Sequence, residues 1–378
     1  MIKTVQDDRP LQVSYAISNL PLAGEIESRA ILKKLPTVER ALAELKGIAQ
    51  IVPNNDILIS TLPLQEAKDS SEIENILTTN DELFRAAVGG SAISPATKEV
   101  SSYAQALRDG YRAVSKQHLL TNNMILAIQK QIKKNDVGFR TQAGTKIKND
   151  NTGETIHVPL QESAEIISLM GNLEKFINDD DLCDWHPLVK MAVIHHQFES
   201  IHPFFDGNGR TGRIINILYL VQQGLLDTPI LYLSRYINQH KATYYHLLQT
   251  VQSEQTWEEW ILFMLDGVEK TSQHTVKLVR NIRQLMQEHK NTLRSKKPKI
   301  YSQDLINIIF SYPYIKIPFV ENELDISRIT AVKYLNALVD IQILTKYKLG
   351  RENYYINNSL TRLLISVGEN TIEDSIKT

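Results

Sequence analysis

The sequence predicts a mainly α protein, with one β-hairpin set among the helices and a small helix-and-hairpin unit near the C-terminal end. Three observations carry this. Most of the 378 residues repeat their apolar positions at helical spacing. One stretch, from Arg140 to Leu160, instead alternates on either side of a turn. Beyond the basic, proline-stopped run Arg294-Ser295-Lys296-Lys297-Pro298-Lys299, the pattern changes to short elements.

In chain order, Pro36 to Ile51 is expected as a helix opened by Pro36, with Pro53-Asn54-Asn55 breaking it before a second helical stretch through Leu77. A third runs near Lys98 to Gln117. Lys146-Ile147-Lys148 and Thr155-Ile156-His157-Val158 flank Asn149-Asp150-Asn151-Thr152-Gly153, which is hairpin-turn chemistry, and the hairpin is expected to be exposed. Lys146 and Lys148 read as a charged strand edge that discourages unwanted pairing. Arg140, just before it, either binds acidic groups or braces the hairpin. From Pro187 to Phe198 almost no polar face remains, as in a helix buried inside a bundle. Arg213 to Gln223 is another apolar-rich helix ended by Gly224, and helical pattern resumes through Tyr244, Tyr245 and Trp257 to about Lys290. Gln303 to Phe310, Phe319 to Leu324 and Ser327 to Val339 follow as short helices, then strand-like Leu344 to Leu349, a Gly350 turn and Asn353 to Ile356. Three helices and a hairpin are the parts of a winged helix-turn-helix. The expected organisation is therefore an N-terminal helical region (1–95), a core (96–293), a winged helix (299–360) and a tail (361–378).

With 42% apolar and 22% charged residues and a net charge of -1, the chain has no wholesale basic character. Any nucleic-acid role must be local. No stretch approaches membrane-spanning length, and Met1 to Tyr15 lacks the apolar block of a secretory signal. A single cysteine, Cys183, suits a reducing compartment, so the expected location is cytoplasmic, with no membrane partner.

The chemistry concentrates in residues 202–213, His-Pro-Phe-Phe-Asp-Gly-Asn-Gly-Arg-Thr-Gly-Arg. The segment joins a buried helix to the N-terminus of the next, where unpaired N–H groups and the helix dipole favour an anion. Gly207 and Gly209 let the backbone approach phosphate oxygens, Asn208 adds a neutral donor, and Arg210 and Arg213 add charged forks. Asp206 supplies a hard oxygen of the kind Mg²⁺ uses beside nucleotide phosphates. His202 is the one group here that accepts a proton near neutral pH. A literal G-x-G-x-x-G also runs from Gly207 to Gly212, but a helix precedes it, so a dinucleotide fold is excluded. His195, His196, Glu199 and His202 lack zinc spacing, and His195 and His196 read as core residues or as supports behind the site.

This segment resembles the Fic-family motif H-x-F-x-[DE]-G-N-G-R-x-x-R, matched by His202, Phe204, Asp206, Gly207, Asn208, Gly209, Arg210 and Arg213. The resemblance implies a Fic-type helical bundle with a hairpin flap at 140–160, spanning roughly 35 to 290. It implies an enzyme, a protein adenylyltransferase that moves AMP from ATP, with Mg²⁺, onto a Ser, Thr or Tyr hydroxyl of a protein target or of itself. His202 would be the base, Asp206 the metal ligand, and Gly207, Asn208, Gly209, Arg210 and Arg213 the nucleotide-binding set. Phe204 would anchor the loop, and Gly209, in place of a lysine, favours nucleotidyl over phosphoryl transfer. The flap residues Lys146, Ile147, Ile156, His157 and Val158 would hold the target as an added strand. Upstream, Ser70-Ser71-Glu72-Ile73-Glu74-Asn75 resembles the family's inhibitory motif [ST]-x-x-x-E-[GN], on a helix of about 62–77. It implies that Glu74, with Ser70 on the same face, pairs with Arg213 and blocks the γ-phosphate. Two alternatives remain: removal of AMP with help from Glu74, and a DNA-binding regulator in which the loop senses nucleotide. From Arg294 to Arg351 ten Lys or Arg face five Asp or Glu. That excess permits DNA contact through 299–360 or equally protein docking or a homodimer.

Overall fold

Apolar stripes at helical spacing account for most of the architecture. In the computed structural model, which describes residues 2–6, 16–51, 55–91, 93–149 and 155–366, the order begins with β1 (Ile2–Gln6) and α1 (Arg29–Ala49). Ser28 caps α1 by accepting from the Ile31 N–H, and Ile31, Leu35, Val38, Leu42 and Leu45 form its buried face. Pro36 therefore lies inside this helix and does not open it. An interior proline costs a backbone hydrogen bond, on the order of 3 kcal/mol, which burial of that long stripe outweighs. Residues 53 and 54 of the expected break lie outside the described residues.

Next come α2 (Asn55–Ile73), α3 (Asn80–Ala87), α4 (Pro95–Gln117) and α5 (Asn122–Lys133). α2 ends one residue before Glu74, earlier than the expected Leu77. Asn75 turns left-handed there at φ 61°, and the Ile76 N–H returns to the Ser71 carbonyl. Only glycine or asparagine adopts that conformation cheaply, which gives the last motif position a physical reason.

β2 (Thr145–Asn149) and β3 (Thr155–His157) form the hairpin; its turn, 150–154, lies outside the described residues. The hairpin is not the exposed pair that the sequence suggested. β1 lies along the outer edge of β2, giving an antiparallel sheet of order β1-β2-β3. In its register Thr4 stands opposite Ile147, and Ile147 opposite His157. Lys146 is buried within this sheet rather than lying on a solvated edge.

Then follow α6 (Ser163–Asn178), α7 (Pro187–Ile201), α8 (Asn208–Gln222), α9 (Leu233–Gln239), α10 (Lys241–Glu254) and α11 (Trp257–Lys296). α7 is buried on all sides, with α6, α8 and α11 around it. α11 runs for 40 residues along α1 and continues into the basic run expected to mark a boundary.

The C-terminal unit comprises α12 (Gln303–Ser311), β4 (Tyr314–Ile315), α13 (Ile317–Leu324), α14 (Arg328–Asp340), β5 (Thr345–Leu349), β6 (Glu352–Ile356) and α15 (Asn358–Ser366), with sheet order β4-β6-β5. Residues 361–366 of the expected tail thus belong to a helix that starts within the unit. The unit folds back onto the N-terminal helices. Ser60 on α2 donates to the Ser311 carbonyl at 2.7 Å, and Tyr314 donates to Asp81 at 2.7 Å.

Candidate active site

α7 ends at His202, whose left-handed backbone (φ 49°) lets its N–H close on the Phe198 carbonyl while turning the chain out of the bundle. Phe204 then re-enters the core between Phe139 and Phe198, at ring separations of 5.4 and 6.3 Å. Asn208 fastens the loop from the other side: its amide oxygen accepts from the Phe204 N–H at 2.9 Å and its NH₂ donates to the Phe204 carbonyl at 2.7 Å. The Asn208 side chain expected to reach phosphate is thus spent on loop shape. Gly207, at φ 87°, starts α8 with no side-chain cap, so the first N–H groups of α8 face the cavity.

His202 sits at the base of that cavity. Burial, reinforced by the charge of Arg140 and by His157, holds its imidazole well below the usual histidine range, so it is neutral and free to accept a proton. Arg140 is itself buried. Its Nε donates to the His202 carbonyl and its NH2 to the Leu160 carbonyl, each at 2.8 Å, and burial lowers its pKa to about 10. Of its two sequence readings the brace describes these contacts. His195 donates to or accepts from Tyr244 at 2.8 Å and packs on Trp260, which makes it a core residue.

Arg213 is gripped by the end of α2. Its Nε donates to Ser70 Oγ at 2.8 Å, and its NH2 donates to the Ser70 carbonyl and to Glu74 Oε1, both at 2.9 Å. Burial works against that charge, and Glu74, together with Tyr244 and Tyr103, more than offsets it, raising the pKa of the guanidinium. Lys241 reaches the Ile73 carbonyl and closes the end of α2. Gly209 lies directly beneath Glu74; a Cβ there would collide with Glu74 Oε1 and come within 2.9 Å of Arg213 NH1.

Four participants are given no role from the sequence. Glu99 on α4 accepts from Arg210 NH1 at 2.6 Å and from Lys133 on α5 at 2.8 Å. Lys133 also pairs with Asp206 at 2.5 Å, and Arg210 NH2 lies 3.4 Å from the same carboxylate. Burial pushes the Glu199 carboxyl up to about 8, with Arg213 opposing and Glu74 adding to the shift. Thr4 places its Oγ1 3.3 Å from His202 Nε2. Long-range contacts of this kind leave no local periodicity to read.

One cavity of about 470 Å³ is lined by His202, Asp206, Gly209, Arg210, Arg213 and Glu74. Ile147 and His157 of the hairpin also line it, whereas Lys146 and Val158 do not. Ile156 belongs to β3, but its side chain lies outside what is described. Among the described residues no cluster of three or more His, Cys, Asp or Glu is placed to hold a metal. A lone carboxylate such as Asp206 still suits Mg²⁺, which is commonly held by one carboxylate and the substrate's own phosphates.

Residues 32–112 match the family model "Fic/DOC family N-terminal", 119–220 match "Fic/DOC family", and 285–360 match "Protein adenylyltransferase SoFic-like, C-terminal domain". Over 115 residues the chain is 30% identical to the protein adenylyltransferase Fic of Drosophila erecta and to that of Drosophila melanogaster, a match covering 30% of this chain. The chain spans only 22% of the length of those relatives. The fold is similar to the crystal structure of a Fic family protein from Desulfovibrio desulfuricans G20, with TM-score 0.52 at 19% identity over 92% of this chain and 98% of that one. It is also similar to Fic-1 from C. elegans, with TM-score 0.53 at 16% identity over 66% and 74%. Among the described residues no helix is long and apolar enough to cross a membrane. With its N-terminal, central and C-terminal stretches all matched in order, this chain belongs to the Fic/DOC family.

Proposed function

We propose that this protein transfers AMP from ATP to a Ser, Thr or Tyr hydroxyl of a protein, itself included, and that Glu74 restrains it at rest. The observation that carries the reading is the convergence of a neutral base, an uncapped helix N-terminus and two arginines on one cavity of about 470 Å³, a size suited to a nucleotide. His202 Nε2 takes the proton of the acceptor hydroxyl as its oxygen bonds to the α-phosphorus. The bond from that phosphorus to the α,β-bridging oxygen breaks, and pyrophosphate leaves with the electron pair. N–H groups at the start of α8, with Arg210 and Arg213, bear the charge that builds on the phosphoryl oxygens. Asp206 is the residue that would hold Mg²⁺, which when bound supplies further neutralisation of phosphate charge; Lys133 meanwhile balances the carboxylate.

The grip of Glu74 and Ser70 on Arg213 supports the restraint, since a carboxylate there repels a γ-phosphate and occupies the fork that would bind it. Removal of AMP assisted by Glu74 is the competing reading, and loss of label from premodified chain is its test. The single Cys183 supports a cytoplasmic location.

Intact-mass measurement after incubation with ATP and Mg²⁺ tests the central claim. One or more AMP adducts are expected on the Glu74→Gly chain and none on that chain carrying His202→Ala. Equal adduct on both, or none on either, overturns it.

A further inference from the structure

The edge of the flap is not free. β1 runs antiparallel to β2 from Ile2 opposite Asn149 to Gln6 opposite Thr145. Its far end is tied down twice, because Gln6 reaches the Ala143 carbonyl and accepts from Thr145 Oγ1. In an antiparallel ladder, residues directly opposite one another project from the same face. Thr4, Ile147 and His157 are aligned in this way, and all three line the cavity that holds His202. Register fixes the choice of side chain further: Thr4 is the β1 residue that stands opposite Ile147 at this cavity, whereas Gln6 is exposed beyond it. Thr4 carries a hydroxyl, and its Oγ1 stands 3.3 Å from His202 Nε2, the reach expected between a nucleophile and its base before substrate tightens the site.

We infer that Thr4 is the acceptor of AMP when this chain modifies itself, β1 presenting its hydroxyl to its own active site as a target strand would be presented. The inference rests on the AMP-transfer reading above. In the step, Thr4 Oγ1 gives its proton to His202 Nε2 and forms an ester bond to the α-phosphorus of ATP. The α-phosphorus to bridging-oxygen bond breaks, pyrophosphate departs with that electron pair, and the imidazolium passes its proton to solvent. The product is threonyl-AMP inside the cavity, beside His202. A chain so modified carries on β1 a nucleotide that must leave, with β1, before another protein can add to β2.

The test uses the full chain with Glu74→Gly, incubated with ATP and Mg²⁺, with the adduct mapped by tandem mass spectrometry and released pyrophosphate measured in parallel. AMP is expected on Thr4. Thr4→Val, which keeps the shape and loses the hydroxyl, should lower self-label by at least about tenfold, and Thr4→Ser should restore it. Adduct on other residues with Thr4 bare, or unchanged label in Thr4→Val, overturns the assignment and leaves AMP transfer standing. Pyrophosphate release without any adduct overturns it too, since water is then the acceptor. Neither adduct nor pyrophosphate overturns the transfer reading together with this one.

Discussion

Glu74 and Arg213 meet across the cavity mouth at 2.9 Å, with Gly209 directly beneath the carboxylate and Ser70 holding the other side of the guanidinium. An arginine so occupied offers nothing to a triphosphate. Glu74→Gly should therefore raise AMP incorporation from ATP by at least about tenfold, since charge-assisted pairs of this kind are worth over 1 kcal/mol. Arg213→Ala on top of it should cancel the gain. Measurement of labelled AMP in the three chains decides the matter, and unchanged incorporation in Glu74→Gly would refute the restraint.

A methyl group at position 209 can be admitted only if the Glu74 carboxylate and the Arg213 guanidinium shift out of their paired positions. Gly209→Ala should cost about 1–3 kcal/mol of stability by overpacking. Most of that cost should vanish when Glu74→Gly is present, because the principal collision partner is gone. Thermal unfolding of the single and double variants gives the coupling, and strict additivity would show that the contact is slack.

Because His202 is held neutral well below the usual histidine range, its capacity as a base is present above that lowered pKa and lost only as pH falls through it. Transfer by the Glu74→Gly chain should stay level from pH 8 down past 6.5 rather than halving near 6.5. A pH-rate profile checks this. His202→Ala should reduce transfer by about 10²–10⁴-fold with ATP binding largely retained, as the imidazole serves the acceptor and not the phosphates. Isothermal titration separates the two effects.

Glu66 provides a pH signature of the fold itself. Burial raises its carboxyl to about 7, with Ser234 and Tyr103 donating to it. The folded value lies above the unfolded one, so this residue's contribution is full below about 4.5 and is lost as pH rises through about 7. Glu66→Gln removes that titration. Denaturant unfolding should show the difference between variant and parent shifting in favour of Gln across that window; a constant difference would place the proton elsewhere.

The chemistry-bearing loop was legible because its constraints are local. A helix without a polar face leads into it, glycines sit where the backbone must turn or approach an anion, and every charged group lies within twelve residues. The Ser70, Glu74 and Arg213 set was legible from motif spacing, though Glu74 proved to lie on the turn after α2. Asn208 misled because its side chain closes on Phe204, a contact that no list of donors reveals. Pro36 misled because local proline chemistry favours a helix start, while tertiary packing keeps seven residues of α1 ahead of it. β1 was invisible for a different reason. Five residues define a strand only when a partner edge exists, and that edge is built from Thr145 to Asn149, far along the chain.

α2 is fastened on two sides along its length. Ser60 bonds to α12, and Glu66 accepts from Tyr103 on α4 and from Ser234 on α9. A helix fixed in this way cannot slide or pivot without dismantling two interfaces, so Glu74 cannot leave Arg213 by rigid movement. What can give is the Glu74 side chain and the final turn, where the Glu74 N–H and the Ile76 N–H both depend on the Ser71 carbonyl and Lys241 reaches the Ile73 carbonyl. Under the restraint reading, release is thus a local event, a swing of the Glu74 side chain or the fraying of a few backbone bonds, and its frequency is set there rather than by the stability of the whole molecule.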